Sequence, residues 1–514
     1  MTLKHKIGQK LEIGLSGLHV DDAFIQMVQT YGIGNVILFR HNIENKKQLT
    51  SLCREIQDVI KAEIGIPAFI CIDQEGGVVT RLSDDCTNFP GAMAIAATQA
   101  PHNAYLSGLI TGRELRAMGV NFNLAPDLDI NYKPENPVIG VRSYGNTPDQ
   151  VTAYGLEMIR GQLDAGIMCC AKHFPGHGGT SVDSHVGLPQ ITSTLEEMEK
   201  MELIPFKSAI DAGIPGIMSS HILFPQIEKE HYPATMSYAV MTDLLRHKLG
   251  FKGLTVSDCM EMGAIQTYYG TPKGILHACL AGVDIVGCSH TYSLAREACE
   301  LLTEHYAQAA PEELSLLDES VERILNAKQK YADTVTDTDL VHCQEHIDIE
   351  TTVLKNSITL VHDTGFIAGD KTLFVSPAPF QATGASNAVL RQPVFSDLLA
   401  DAFSGTAYTV TADPTDEEIG HVLQKATETD SIVVGSFQAH IHKAQLTLIQ
   451  KLHETGKPLC VVALRDPYDL LEIPRDIHEI CTYEYSERAC LLAADVLKKN
   501  YQPTGVLPLS SFFK

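Results

Sequence analysis

No tryptophan occurs among the 514 residues, so any aromatic platform for a flat ligand has to come from Tyr or Phe. No stretch offers about 18 uninterrupted apolar residues, the length a membrane-crossing helix needs. Residues 1–6 lead straight into polar sequence without the apolar core of a secretion signal, so a cytoplasmic protein is expected. Basic residues are scarce: 39 Lys and Arg stand against 63 Asp and Glu, a net charge of -24. A surface of that sign repels polyphosphate and anionic lipid, and no local basic cluster offsets it, so neither nucleic acid nor a membrane surface is an expected partner. The 13 cysteines are odd in number and scattered, and none forms a Cys-x-x-Cys pair. Several (Cys71, Cys169, Cys170, Cys460) sit in apolar runs, as buried reduced thiols do, which argues against a disulfide framework and a thiolate zinc site.

What is present is ordinary for a globular chain: 44% apolar and 20% charged residues. The length would allow about three domains, but barrels of about 250 residues form single units, so two are expected. Short β-rich apolar runs occupy 11–15, 35–39, 68–73, 121–127, 167–173, 216–221, 253–258 and 283–287, with amphipathic segments such as 45–62 and 149–165 between them. Continuous apolar strands alternating with helices indicate parallel pairing, and eight such units predict a (β/α)8 barrel of the TIM type over residues 1–335. Residues 332–350 lack a sustained apolar period, and 336–350 read as a linker. Over 351–514, runs at 357–361, 372–375, 407–410, 431–434 and 459–464 alternate with helical patterns. They predict a smaller α/β sandwich domain, its parallel sheet covered on both faces. That part holds neither Gly-x-Gly-x-x-Gly nor Gly-x-x-x-x-Gly-Lys, hence no phosphate cradle.

Polar residues follow the apolar part of the first eight runs: Asp73, Asp127, Lys172, His173, His221 and Asp258. In a barrel the carboxyl ends of the strands converge on one mouth, where distant residues become neighbours. The competing reading is that polar residues mark where strands meet solvent. The stretch Lys172-His-Phe-Pro-Gly-His-Gly-Gly-Thr-Ser-Val-Asp183-Ser-His185 continues from a strand end into a Pro- and Gly-rich turn. Two residues apart, Asp183 can accept a hydrogen bond from one ring nitrogen of His185 while the other nitrogen faces a ligand, which fixes the tautomer and raises basicity. Asp258 could be a nucleophile, a metal ligand or a helix cap. Its company is Asp73-Gln-Glu-Gly-Gly77 with Arg81, and Ile139-Gly-Val-Arg142-Ser143, which bring two guanidinium groups and a further carboxylate to the same predicted rim.

Taken in order, Gly34-Asn-Val-Ile-Leu-Phe-Arg-His-Asn42, Asp73 to Gly77, Ala125-Pro126-Asp127, Ile139 to Tyr144, Lys172 to Gly178, Asp183 to His185 and Ser257-Asp258 form a specific series. Over residues 7 to about 330 the sequence resembles glycoside hydrolase family 3, in particular its bacterial β-N-acetylglucosaminidase branch. Tyr501-Gln-Pro-Thr-Gly-Val-Leu-Pro508 looks like that family's sandwich domain. The resemblance implies a retaining exo-hydrolase that releases terminal β-linked N-acetylglucosamine from short soluble saccharides, peptidoglycan fragments ahead of chitin oligomers. It implies Asp258 as nucleophile and His185, supported by Asp183, as general acid and then base, with Asp73, Arg81, Arg142, Lys172 and His173 gripping the terminal sugar. No metal or cofactor is implied, and the assembly is expected to be a monomer or homodimer.

An imidazole acid departs from the usual two-carboxylate plan, but with an unperturbed pKa of about 6.5 it needs no buried, raised carboxyl group. Gly179 stands where many relatives carry Asp, and Cys259 where a second Asp is frequent. His177 is expected to stabilise its loop, and His221 to sit at the rim. The rival readings are a phosphorylase on the same site, a zinc hydrolase using His173, His177, Asp183, His185 and His221, and a non-catalytic sugar-binding protein.

Overall fold

The computed structural model describes residues 1–180, 183, 187–333, 336–386, 393–509 and 512. The first eight strands are β1 (Leu11–Ile13), β2 (Asn35–Leu38), β3 (Phe69–Ile72), β4 (Phe122–Asn123), β5 (Met168–Phe174), β6 (Gly216–Ser219), β7 (Leu254–Ser257) and β8 (Val286–Cys288). They pair in chain order, with β8 beside β1. The ring closes where Val256 bridges Ile285 and the Ser257 amide donates to the Ile285 carbonyl at 2.9 Å. A helix follows each strand, from Asp22–Tyr31 after β1 to Tyr292–Gln308 after β8.

Side-chain alternation builds the barrel in two layers. Phe69 and Cys71 of β3, Met168 and Cys170 of β5 and Val256 of β7 meet inside the ring. Their neighbours Ile70, Ile72, Cys169 and Ala171 face the helices. Helix Lys46–Ile64 shows why the outer layer forms. Asn45 caps it by accepting from the amides of Lys47 and Gln48, Leu49, Leu52, Ile56 and Ile60 share its buried face, and Gly65 ends it at φ +75. Burial of each such side chain contributes roughly 1.5–3 kcal/mol. The cysteines follow the same logic: all are free and, apart from Cys259 and Cys343, buried.

The second sheet comprises β9 (Thr359–His362), β10 (Thr372–Pro377), β11 (Thr406–Val410), β12 (Ser431–Ser436), β13 (Leu459–Ala463) and β14 (His478–Cys481), in the order β11-β10-β12-β13-β14-β9. Along β12 and β13 alternate residues enter two cores, Ile432, Val434 and Val461 on one face and Val433, Cys460 and Val462 on the other, the signature of an α/β sandwich. Two features differ from the sequence reading. β14 lies in a run with His478 and Glu479 that breaks apolar continuity, and β9 pairs with it antiparallel, so the sheet is mixed. Helix Gln344–Ser357 begins inside the stretch read as a linker, because two of its polar residues are buried with distant partners: His346 Nδ1 lies 2.7 Å from Glu114, and Glu350 accepts from Arg488 at 2.6 Å.

The two units share apolar contacts: Met93, Ala94 and Ala97 of helix Ala92–Ala97 pack into one core of the second unit with Leu373 and Tyr468. Asn131 of the barrel donates to the Tyr468 hydroxyl at 2.6 Å. This seam brings residues 384–386 of the second unit to the barrel mouth.

Candidate active site

Asp73 follows β3, Arg142 ends the turn Gly140–Arg142 after β4, Lys172 and His173 belong to the end of β5, and Asp258 follows β7. The barrel's parallel closure puts all five at its carboxyl end. With Glu75, Arg81 and His177 they line one cavity of 1060 Å³.

Glu75 is the hub of the charged wall. Its carboxylate accepts from Arg142 Nη2 at 2.8 Å and Nε at 2.9 Å, and lies 2.7 Å from Lys172 Nζ. Lys172 also donates to Asp73 at 2.6 Å. Burial alone would push the Glu75 carboxyl up, but the Arg142 guanidinium and the Lys172 ammonium outweigh it and hold it well below the usual carboxylate range. Burial opposes the charge of Lys172 too, and Asp73 and Glu75 more than restore it, so this amine stays protonated. The wall therefore presents fixed donors whose positions are set before a ligand arrives, which suits the recognition of sugar hydroxyl and amide groups.

Asp129, two residues beyond Asp127, orders the histidines. It accepts from His173 Nδ1 at 2.7 Å and from the His177 amide at 2.6 Å. Arg142 Nη2 lies 3.3 Å from His173 Nε2; a guanidinium only donates, so Nε2 accepts and the ring carries its hydrogen on Nδ1. His173 thus has both nitrogens engaged by protein groups while its ring lines the cavity. His177 is 2% exposed, lies 3.0 Å from the Thr180 hydroxyl through Nδ1, and its carbonyl accepts from Asn136 at 2.9 Å. Burial and then the neighbouring His173 push its pKa down to about 4. Gly178 admits the loop to this depth, since a Cβ there would lie 1.7 Å from the Ile130 carbonyl oxygen.

Among the described residues, Asp127, Asp129 and His173 are close enough to share a cation. Arg142 already supplies one: it lies 3.6 Å from Asp127 as well as beside His173 Nε2. A divalent ion would meet that fixed positive charge, so the donor set does not suit a metal.

Asp258 Oδ1 accepts from the Cys259 amide at 2.7 Å. His221 holds this turn, Nε2 donating to the Cys259 carbonyl at 3.0 Å. The Cys259 thiol is pushed up to about 11 by burial, which keeps it a poor target for oxidants at neutral pH. Arg81 reaches across to the second unit, Nη2 donating to the Ala385 carbonyl at 3.1 Å.

Of the paired Asp183 and His185, only Asp183 falls within the described residues; it is half-buried, and its carbonyl accepts from the Gly187 amide at 3.0 Å. His185 lies outside them. At Gly179 a Cβ would sit 2.0 Å from the Tyr132 hydroxyl oxygen, which donates to Glu202 at 2.6 Å, so Tyr132 fills the space a longer side chain would need. Glu75 stands inside the Asp73 to Gly77 motif with nothing in the sequence to mark it as the hub, and Asp129 lies just beyond the Ala125-Pro126-Asp127 motif. The signal for Asp129 was the alternation Asp127-Leu128-Asp129 at a strand end, which turns both carboxyl groups the same way.

Residues 2–327 match the Glycosyl hydrolase family 3 N terminal domain. Over 276 residues the chain is 39% identical to beta-hexosaminidase A of Pseudoalteromonas piscicida, a match covering 51% of this chain and 46% of that protein, so it spans less than half of that relative's length. A beta-hexosaminidase of Thiobacillus denitrificans is 36% identical over 265 residues, 50% of this chain and 72% of its own length. Among solved structures, a glycoside hydrolase family 3 beta-N-acetylglucosaminidase from Paenibacillus sp. str. FPU-7 superposes with a TM-score of 0.90 at 35% identity, covering 99% of each chain.

Proposed function

The chain belongs to glycoside hydrolase family 3, and from that premise we propose that it is a retaining exo-β-N-acetylglucosaminidase acting on short soluble saccharides, peptidoglycan fragments before chitin oligomers. The reading rests above all on the convergence of Asp258 with the Asp73, Glu75, Arg142 and Lys172 network in one cavity. In this mechanism the Asp258 carboxylate attacks the anomeric carbon while the bond to the leaving oxygen breaks, and that oxygen takes a proton from His185. His185, now neutral, removes a proton from water as the water attacks the same carbon and releases Asp258. Asp183 keeps the imidazole in the productive tautomer. Asp73, Arg81, Arg142 and Lys172 hold the terminal sugar through hydrogen bonds, and His173 packs beside it.

A panel of chromogenic β-glycosides assayed with the wild type, Asp258→Ala and His185→Ala tests the assignment. Preferred turnover of the N-acetylglucosaminide, lost in Asp258→Ala, is the expected result; equal turnover by all three proteins refutes it. Product analysis on peptidoglycan fragments and on chitin oligomers separates the two substrate classes.

A further inference from the structure

Arg142 takes its place from a turn that the two units hold between them. The barrel anchors both ends of it. Before the turn, Asn136 Oδ1 accepts from the amides of Val138 and Ile139 at 2.9 Å each, and after it the Ser143 hydroxyl lies 2.6 Å from the Asp129 carbonyl. The middle is held from the second unit. Val141 is 3% exposed and packs into the core that contains Leu373, Val461 and Tyr468, so the residue beside Arg142 belongs to the other unit's interior. Gly140, at φ +45, lies against Asp466: a Cβ there would stand 2.9 Å from Asp466 Oδ1.

Asp466 and Tyr468 belong to one segment, where the turn Pro467–Glu472 begins after β13. Tyr468 is buried, and its hydroxyl accepts from Asn131 Nδ2 at 2.6 Å. Asn131 in turn donates its amide to the Gly145 carbonyl at 3.1 Å. It stands two residues beyond Asp129, whose carboxylate takes His173 Nδ1 and the His177 amide. One segment of the second unit therefore touches both supports of the charged wall, the turn that carries Arg142 and the stretch that carries Asp129. A single turn closed by the Arg142 amide on the Ile139 carbonyl at 2.8 Å and the Ser143 amide on the Gly140 carbonyl at 3.2 Å has little stiffness of its own, so what packs against it sets its direction. The guanidinium is sensitive to direction, because its two bonds to Glu75 need both edges aligned. Neither Val141 nor Tyr468 lines the catalytic cavity.

We propose that residues 466–468 of the second unit are a positioning element for sugar binding: they aim Arg142 at Glu75 and into the catalytic cavity, and Tyr468 and Val141 act on the terminal sugar only through Arg142. The kinetic arm of the test rests on the glycosidase reading; hydrogen exchange of the peptide spanning 138–145, followed by mass spectrometry, needs no turnover. Tyr468→Phe removes one hydroxyl and is expected to raise KM for the chromogenic N-acetylglucosaminide about fivefold with kcat within about twofold, and to speed exchange in that peptide. In an Arg142→Lys background the same change should leave KM where Arg142→Lys alone puts it, because the group it acts through is already lost. Val141→Ala should raise KM as Tyr468→Phe does, whereas Val461→Ala, in the same core but on β13, should lower the urea midpoint and leave KM unchanged. Unchanged KM or unchanged exchange in Tyr468→Phe overturns the proposal. So does an effect on KM that persists in the Arg142→Lys background, or equal effects of Val141→Ala and Val461→Ala, which would mean a general loosening of the core. If Tyr468→Phe fails to fold, the two valine variants decide. A wild type that turns over no N-acetylglucosaminide would strike the enzymatic reading and leave the exchange measurement intact.

Discussion

Replacing Glu75 with Gln keeps the shape of the side chain and removes the one carboxylate shared by Arg142 and Lys172. Two unit charges about 4 Å apart are worth about 4 kcal/mol at an effective dielectric constant of 20, and Glu75 makes two such pairs. The desolvation cost of the carboxylate disappears with it, which returns part of that sum and leaves about 3–5 kcal/mol of lost stability, the range for breaking a buried pair. The two cations then repel each other and shift from the positions that Glu75 imposed. A misplacement of about 1 Å at a reacting centre costs about a hundredfold in kcat/KM. Urea unfolding of Glu75→Gln and its kcat/KM on the chromogenic N-acetylglucosaminide measure both quantities. A variant within about 1 kcal/mol of wild-type stability, at the resolution of such unfolding measurements, and with wild-type kcat/KM would refute the view that Glu75 organises the charged wall.

Asp258→Ala is expected to lose at least about a thousandfold in kcat while keeping its fold, read by the same assay and by circular dichroism. His177 carries a folded pKa of about 4 against about 6.5 unfolded, so the unfolded chain takes up the proton first as the solution is acidified. Its contribution is therefore fully present above pH 6.5 and lost as pH falls from there toward 4, on the order of 3 kcal/mol. Urea midpoints between pH 7 and 4.5 should fall less steeply in His177→Gln than in the wild type, and parallel curves would contradict this. Because Arg142 already faces Asp127 and His173, dialysis against a chelator should leave kcat/KM unchanged; loss of activity restored by zinc would overturn the charge argument. Arg142→Lys cannot reproduce the two-pronged contact with Glu75 and should raise KM about tenfold or more for the sugar with a smaller change in kcat, whereas an unchanged KM would count against its place in the grip.

The barrel was legible because its signal is local and repeated: continuous apolar strands such as 68–73 and 167–173 cannot sit at a surface, and eight of them in register with helices leave few arrangements. Asp73, Lys172 and Asp258 were found together because strand ends in such a fold share one mouth, to which the turn Gly140–Arg142 adds Arg142. The mixed edge of the second sheet was hidden, since His478 and Glu479 interrupt the apolar run of β14 and only long-range pairing with β9 makes them a strand. Helix Gln344–Ser357 was missed for a related reason: partners more than 130 residues away bury its His346 and Glu350, and a window along the chain cannot see them. The hub role of Glu75 was equally out of reach, because a carboxylate among glycines acquires its meaning only from the two cations delivered by β5 and the turn after β4.

The most direct trial of the mechanism is chemical trapping. A fluorinated N-acetylglucosamine donor that glycosylates fast and hydrolyses slowly should leave one sugar mass on the peptide that carries Asp258, and tandem mass spectrometry should place it on that carboxylate. A label on any other residue, or a protein inactivated without covalent sugar, would contradict the account.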